Sequence, residues 1–152
     1  MRPSSIVLGF DYGESRTGVA VGQMVTGTAT PLTNLQRRAD GLDWTAINAL
    51  IQAWKPAAIV VGLPVAEYAG ARAIKAAIAG FQRELTARFG LPVYTVNEAY
   101  SSVEAYQRLK TRRAQSDGKR IHKGEIDAMA AAILLEAWMS NAHPDLTERT
   151  TI

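Results

Sequence analysis

No cysteine occurs among the 152 residues, which excludes zinc–thiolate centres, thiol nucleophiles and disulfide frameworks together. No apolar run approaches the ~18 residues that a membrane-crossing helix needs. The opening stretch MRPSSIVLGF has neither the long apolar core nor the small-residue cleavage site of a secretory leader before Asp11 interrupts it. Excess charge is also lacking, the net value being only +3, so the chain is not basic throughout. The composition, 47% hydrophobic and 20% charged, is that of a globular protein able to bury a core without covalent staples. A soluble, cytoplasmic, single-domain protein without membrane association is expected.

The small net charge conceals an uneven distribution. Residues 108–123, RLKTRRAQSDGKRIHK, hold seven Lys or Arg against the single acid Asp117. Everything else carries ten basic and thirteen acidic residues. Basicity confined to one segment favours a polyanion-facing surface, although a solvated loop would show the same pattern.

Periodicity lays out the rest. SIVLGFD and RTGVAVGQ read as two strands joined by a turn, and a weaker third follows near GTATPLTNL. Trp44, Ile47, Leu50, Ile51 and Trp54 recur at helical spacing, with Asp43 as N-cap and Pro56 as terminator. AAIVVGLP is a continuous apolar run, the pattern of a strand buried on both faces. Ile74, Ile78, Phe81 and Leu85 mark a second helix, stopped by Gly90 and Pro92 before the strand PVYTVNE. Ser101 and Glu104 have capping-box spacing. In the last helix, Ile126, Ala130, Ile133, Leu134, Ala137 and Trp138 form the expected buried stripe. Residues 1–140 thus form one domain, with 141–152 as a loose tail. Three consecutive strands imply an antiparallel meander, and the later alternation implies right-handed parallel crossovers. The two requirements meet in an α/β fold, a mixed five-stranded sheet in the order 3-2-1-4-5 with helices on both faces.

Functional residues of such sheets gather where parallel strands end. Asp11 and Glu98 stand at such ends, and Asp127 lies in the first turn of the final helix. Each also has a purely structural reading. Asp11 could accept N–H groups of the Tyr12-Gly13 turn, Glu98 could be a solvated acid at a helix entrance, and Asp127 gains from the helix dipole in any case. Taken together, three carboxylates without a neighbouring histidine or cysteine are hard-oxygen chemistry, suited to Mg²⁺ or Mn²⁺. Two such ions can activate water and stabilise the leaving oxygen in phosphodiester cleavage.

LGFDYGESRTGVAVG, IVVGLP, VNEAYSSVEA and EIDAMAAAILLEAW, in that order across residues 6–138, resemble the motifs of the YqgF (RuvX-like) family. The resemblance implies an RNase H-like fold and a nuclease that resolves Holliday junctions or matures the 5′ end of pre-16S ribosomal RNA. It implies that Asp11, Glu98 and Asp127 are the catalytic, metal-binding carboxylates and that Arg16 contacts a phosphate. The matching basic loop, with Lys110, Arg112, Arg113, Lys119, Arg120 and Lys123, would face nucleic acid. Asn97 and Ser101 flank Glu98 and are candidates to support the metal ligands by hydrogen bonding. Two departures stand out. Asn97-Glu98-Ala99 replaces the family's usual Asp-Glu-Arg, and the GLP motif is followed by the comparatively apolar VAEYAGARA.

Three functions are therefore compared. The first is a metal-dependent endonuclease acting on an RNA precursor or branched DNA, as a monomer or homodimer. The second is an actin-like phosphotransferase, which would need a second Asp-x-Gly hairpin and a longer chain. The third is a nucleic-acid-binding or ribosome-biogenesis module that keeps the fold without turnover, which the change around Glu98 would suit.

Overall fold

The computed structural model describes residues 5–64, 71–98, 107–111 and 122–141. Five strands are present: β1 (Ile6–Asp11), β2 (Arg16–Gln23), β3 (Thr28–Gln36), β4 (Ala58–Pro64) and β5 (Val93–Glu98). Three helices accompany them: α1 (Trp44–Trp54), α2 (Ala71–Phe89) and α3 (Lys123–Ser140). A further helical stretch covers 107–111. The sheet order is β3-β2-β1-β4-β5, as the strand and helix sequence requires. β1, β2 and β3 pair antiparallel, whereas β1–β4 and β4–β5 are parallel.

Local chemistry sets the element ends. Asp43 caps α1 by accepting the Ala46 N–H at 3.1 Å. Lys55 closes that helix in the left-handed region just before Pro56. In β3, Leu32 is an extra residue between the partners of Val19 and Ala20. The bulge sits beside Pro31, which an edge strand tolerates because it need donate no ladder bond there.

Pleat alternation divides the apolar side chains between two cores. Leu8, Phe10, Val19, Ile59 and Val61 pack beneath α1 and α2 with Ile47, Ile51, Ile78, Phe81 and Leu85. Val7, Ala20, Ala58 and Val60 pack against α3 on the opposite face. Helices thus cover both faces of the sheet.

The last helix departs from the expected stripe. Residues 128–135 are all buried, as is Trp138, whereas Ala137 is exposed and Ile126 only half-buried. An alanine-rich helix can sink into a sheet whose facing positions are themselves small. At Gly9 and Gly22 the room a Cβ would need is bounded by Leu135. Burial of both flanks erases the one-sided signal that amphipathic periodicity relies on. The Ser101–Glu104 box and the tail beyond 141 lie outside the described residues.

Candidate active site at the carboxyl ends of β1 and β5

Asp11 is the last residue of β1 and pairs with Gly18 across the β1–β2 hairpin. Directly opposed residues project to the same face. Val7 faces α3, and a Cβ on Gly9 would meet Ala131 and Leu135. Alternation therefore carries half-buried Asp11 to the α3 face, one helical turn before Ala131, at the level of Asp127.

Gly18 brings helix and sheet together. A Cβ there would lie 2.0 Å from the Asp127 carbonyl oxygen and 3.0 Å from the Ala128 nitrogen. The first turns of α3 therefore rest on bare β2 backbone, fixing Asp127 over the sheet. Arg16, two residues before Gly18 and on the same face, donates from Nε to Asp127 Oδ2 at 2.6 Å. Their side chains are 31% and 22% exposed, so the pair is partly shielded but open to a ligand.

Glu98 ends β5 opposite Pro64, and β4 separates it from Asp11. Its pleat parity is that of Tyr94 and Val96, which belong to the α3-side core. The registers Phe10↔Val61 and Gly62↔Val96 place Glu98 two strands across and two residues beyond Asp11. That is about 10 Å across and about 7 Å further along the sheet. The Glu98 side chain lies outside the described residues, and among these no three His, Asp or Glu side chains gather to hold a metal. The structure thus pairs Arg16 with Asp127, sets Asp11 at their level on the same face of the sheet, and sets Glu98 on the far side of β4.

Other expected residues are distributed differently. Asn97 is exposed at the β5 edge, opposite in parity to Glu98. Lys110 and Lys123, within the basic segment, are exposed. Arg108 binds Glu136 of α3 at 2.9 Å, so one cation of that segment serves the fold. Ser101, Arg112, Arg113, Lys119 and Arg120 lie outside the described residues.

One residue of the site region had no signal in the motifs. Arg37 follows β3 and returns to the hairpin mouth, where its backbone N–H binds the Ser15 carbonyl at 2.9 Å. Its Nη2 donates to Tyr12 Oη at 2.6 Å and to the Gly13 carbonyl at 3.3 Å. The guanidinium also covers the Tyr12 ring, whose centroid is 5.1 Å away, and the ring in turn packs on Phe81. Arg37 thereby clasps the turn immediately after Asp11. Only the Arg37-Arg38 pair directly after a strand hinted at it.

The donor set is suited to a hard divalent cation. Asp11 contributes a carboxylate, Asp127 keeps Oδ1 beyond the oxygen held by Arg16, and the sequence has no cysteine to offer a thiolate. Arg16 supplies a planar cation of the kind that pairs with phosphate.

The chain resembles relatives and solved structures in keeping with this geometry. A Pseudomonas aeruginosa protein named "Putative pre-16S rRNA nuclease" is 42% identical over 144 residues, spanning 95% of this chain and 97% of its own length. A protein of the same name from Xanthomonas campestris is 39% identical over 140 residues, spanning 92% and 90%. The fold matches that of Thermus thermophilus RuvC bound to a Holliday junction substrate, with a TM-score of 0.55, 14% identity and coverage of 90% and 94%. It also matches the Fowlpox virus resolvase bound to junction DNA, with a TM-score of 0.51, 12% identity and coverage of 89% and 97%. These likenesses and the sheet order identify the RNase H-like α/β fold. With the family model described as RuvX, Holliday junction resolvase, matching residues 5–141, the chain belongs to the RuvX (YqgF) family.

Proposed function

We propose that the protein is a metal-dependent endonuclease that cleaves phosphodiester bonds in structured nucleic acid, with the 5′ end of pre-16S rRNA as its foremost substrate and branched DNA as its second. The observation that carries this reading is the Arg16–Asp127 pair seated on Gly18, directly across the hairpin from Asp11. The names of the relatives support the RNA substrate. No described helix is long and apolar enough to cross a membrane, consistent with work on cytoplasmic RNA.

Asp11 and Asp127, joined by Glu98, would hold Mg²⁺ or Mn²⁺. When bound, the ions supply a nucleophilic hydroxide and neutralise charge on the leaving oxygen. Asp127 also orients Arg16 toward the space over the strand ends, where its outer N–H groups can take a phosphate oxygen. Arg37 holds the Tyr12-Gly13 turn and with it the direction of Asp11. Lys110 and Lys123 of the basic segment lie exposed and contribute counterion-linked backbone affinity without reading sequence.

Purified protein should cleave structured RNA in Mg²⁺ or Mn²⁺ and lose that activity in EDTA, with single strands and four-way junctions as comparison substrates. Binding without cleavage on every substrate would favour the turnover-free module that Asn97-Glu98-Ala99 suits. Arg16 makes a sharper prediction. Because it pairs with Asp127 and would compete with a cation for that carboxylate, Arg16→Gln should raise Mn²⁺ affinity about two- to fivefold, the scale of a partly exposed ion pair. The same change should flatten the salt dependence of nucleic-acid binding by about one counterion. Calorimetry with Mn²⁺ and anisotropy across a salt series measure the two effects.

A further inference from the structure

Next to the Arg16–Asp127 pair, on the side of the edge strand, β3 and the start of α3 part to leave a cavity of about 500 Å³. It is bounded by β3 from Thr30 to Asn34, by Gly124, Glu125, Ala128 and Met129 of α3, and by Leu109 and His122. Its size falls within the range of small-molecule sites, about 300–1,000 Å³. Its position is fixed by register. Asn34 pairs with Gly18, the glycine that touches Asp127, so the cavity opens about one strand spacing, ~5 Å, from the strand that carries Arg16.

Its polar groups are available. The Asn34 side-chain amide is half-buried and makes no hydrogen bond to another described residue. Gly124 makes room for it, since a Cβ there would lie 2.9 Å from Asn34 Oδ1 and 3.1 Å from Nδ2. The exposed His122 side chain makes no cap bond to α3. Around these polar groups stand apolar Pro31, Leu109 and Met129. Glu125 also lines the cavity.

We propose that this cavity receives one unpaired nucleobase of the substrate, next to the phosphodiester held over Asp11 and Asp127. A base is a flat apolar body with a polar edge. Pro31 suits one face above a floor made by the buried Leu109 and Met129, while the Asn34 amide, a donor and acceptor side by side, suits its edge. A paired base cannot enter, because its edge is occupied and its faces are stacked. The substrate class thus narrows to nucleic acid with an unpaired nucleotide beside the cleavage point. This inference rests on the nuclease reading above.

The test uses a labelled single-stranded RNA and a series in which one abasic residue is stepped along it. Affinity is measured by anisotropy without divalent metal, and cleavage is measured in Mn²⁺. For the wild type, one abasic position should weaken binding at least about fivefold, the low end of what one base contact contributes. Asn34→Ala should weaken binding of the intact strand by a similar factor and be insensitive to that same abasic position. Gly124→Ala, which keeps the amide but crowds it, should reproduce the effect if Asn34→Ala proves unstable in a melting curve. An intact strand that is cleaved and bound with no position-specific penalty overturns the base site and leaves the nuclease reading standing. So does an Asn34→Ala protein that keeps the penalty. A protein that neither binds nor cleaves any strand overturns both.

Discussion

Asp11→Asn is expected to slow cleavage at least about a hundredfold, the loss typical of removing one well-placed group that stabilises developing charge. The substitution is isosteric and leaves the strand end able to hydrogen-bond, so the melting temperature should hold. Asp11 lies on the face that α3 covers, level with Asp127 and opposite the glycine on which Asp127 rests. An amide there keeps an oxygen donor but no charge, and a divalent cation depends on that charge. Nucleic-acid binding without metal should survive, and even tighten, because a negative group near the phosphates has gone. Single-turnover cleavage with a parallel binding curve separates the two. Equal rates for wild type and Asp11→Asn would remove Asp11 from the chemistry.

Gly18→Ala should be among the most destabilising single-methyl additions in the chain, costing about 3 kcal/mol, at the upper end of ordinary overpacking. Intrinsic preference points the other way, since replacing glycine within a strand by alanine would ordinarily gain up to about 1 kcal/mol. The sign is reversed by what the methyl meets. At 2.0 Å from the Asp127 carbonyl oxygen it strikes helix backbone, which has no rotamer to yield. Either α3 lifts from β2 or the strand buckles, and both displace Asp127 from Arg16. A melting temperature about 6–12 °C lower is expected for a chain of this size, with metal affinity reduced in whatever folded protein remains. Gly22→Ala is the internal control. Its methyl would approach the outer atoms of Leu135 and Met139 at 2.9 Å, and those side chains can turn aside. A Gly18→Ala protein as stable as the wild type would mean that α3 is not seated on β2 as described.

Much of this was legible in the residues, for identifiable reasons. Strands and helices came from short-range patterns, such as the apolar run AAIVVGLP and the caps at Asp43 and Gly90. The sheet order followed because a meander and right-handed crossovers leave little choice. Periodicity points to a stripe in the final helix because one-sided burial is the usual case, and its burial on nearly every side depends on the glycines of β1 and β2 far away in sequence. Distance in sequence also explains what was missed at the site. Arg16 and Asp127 are 111 positions apart, and nothing local tells an arginine that pairs with phosphate from one that first pairs with a carboxylate. Arg37 clasps a turn 24 residues earlier, and Asn34 is a polar edge-strand residue until its register with Gly18 is known.

The central claim, that the carboxyl ends of β1 and β5 with Asp127 form a divalent-metal nuclease centre, is tested most directly by counting Mn²⁺ on the wild type and on Asp127→Asn, with cleavage of structured RNA assayed in the same samples. The expected result is Mn²⁺ bound by the wild type, lost or greatly weakened in Asp127→Asn, with cleavage falling in parallel. Cleavage that persists in EDTA, or in Asp127→Asn at the wild-type rate, would contradict it.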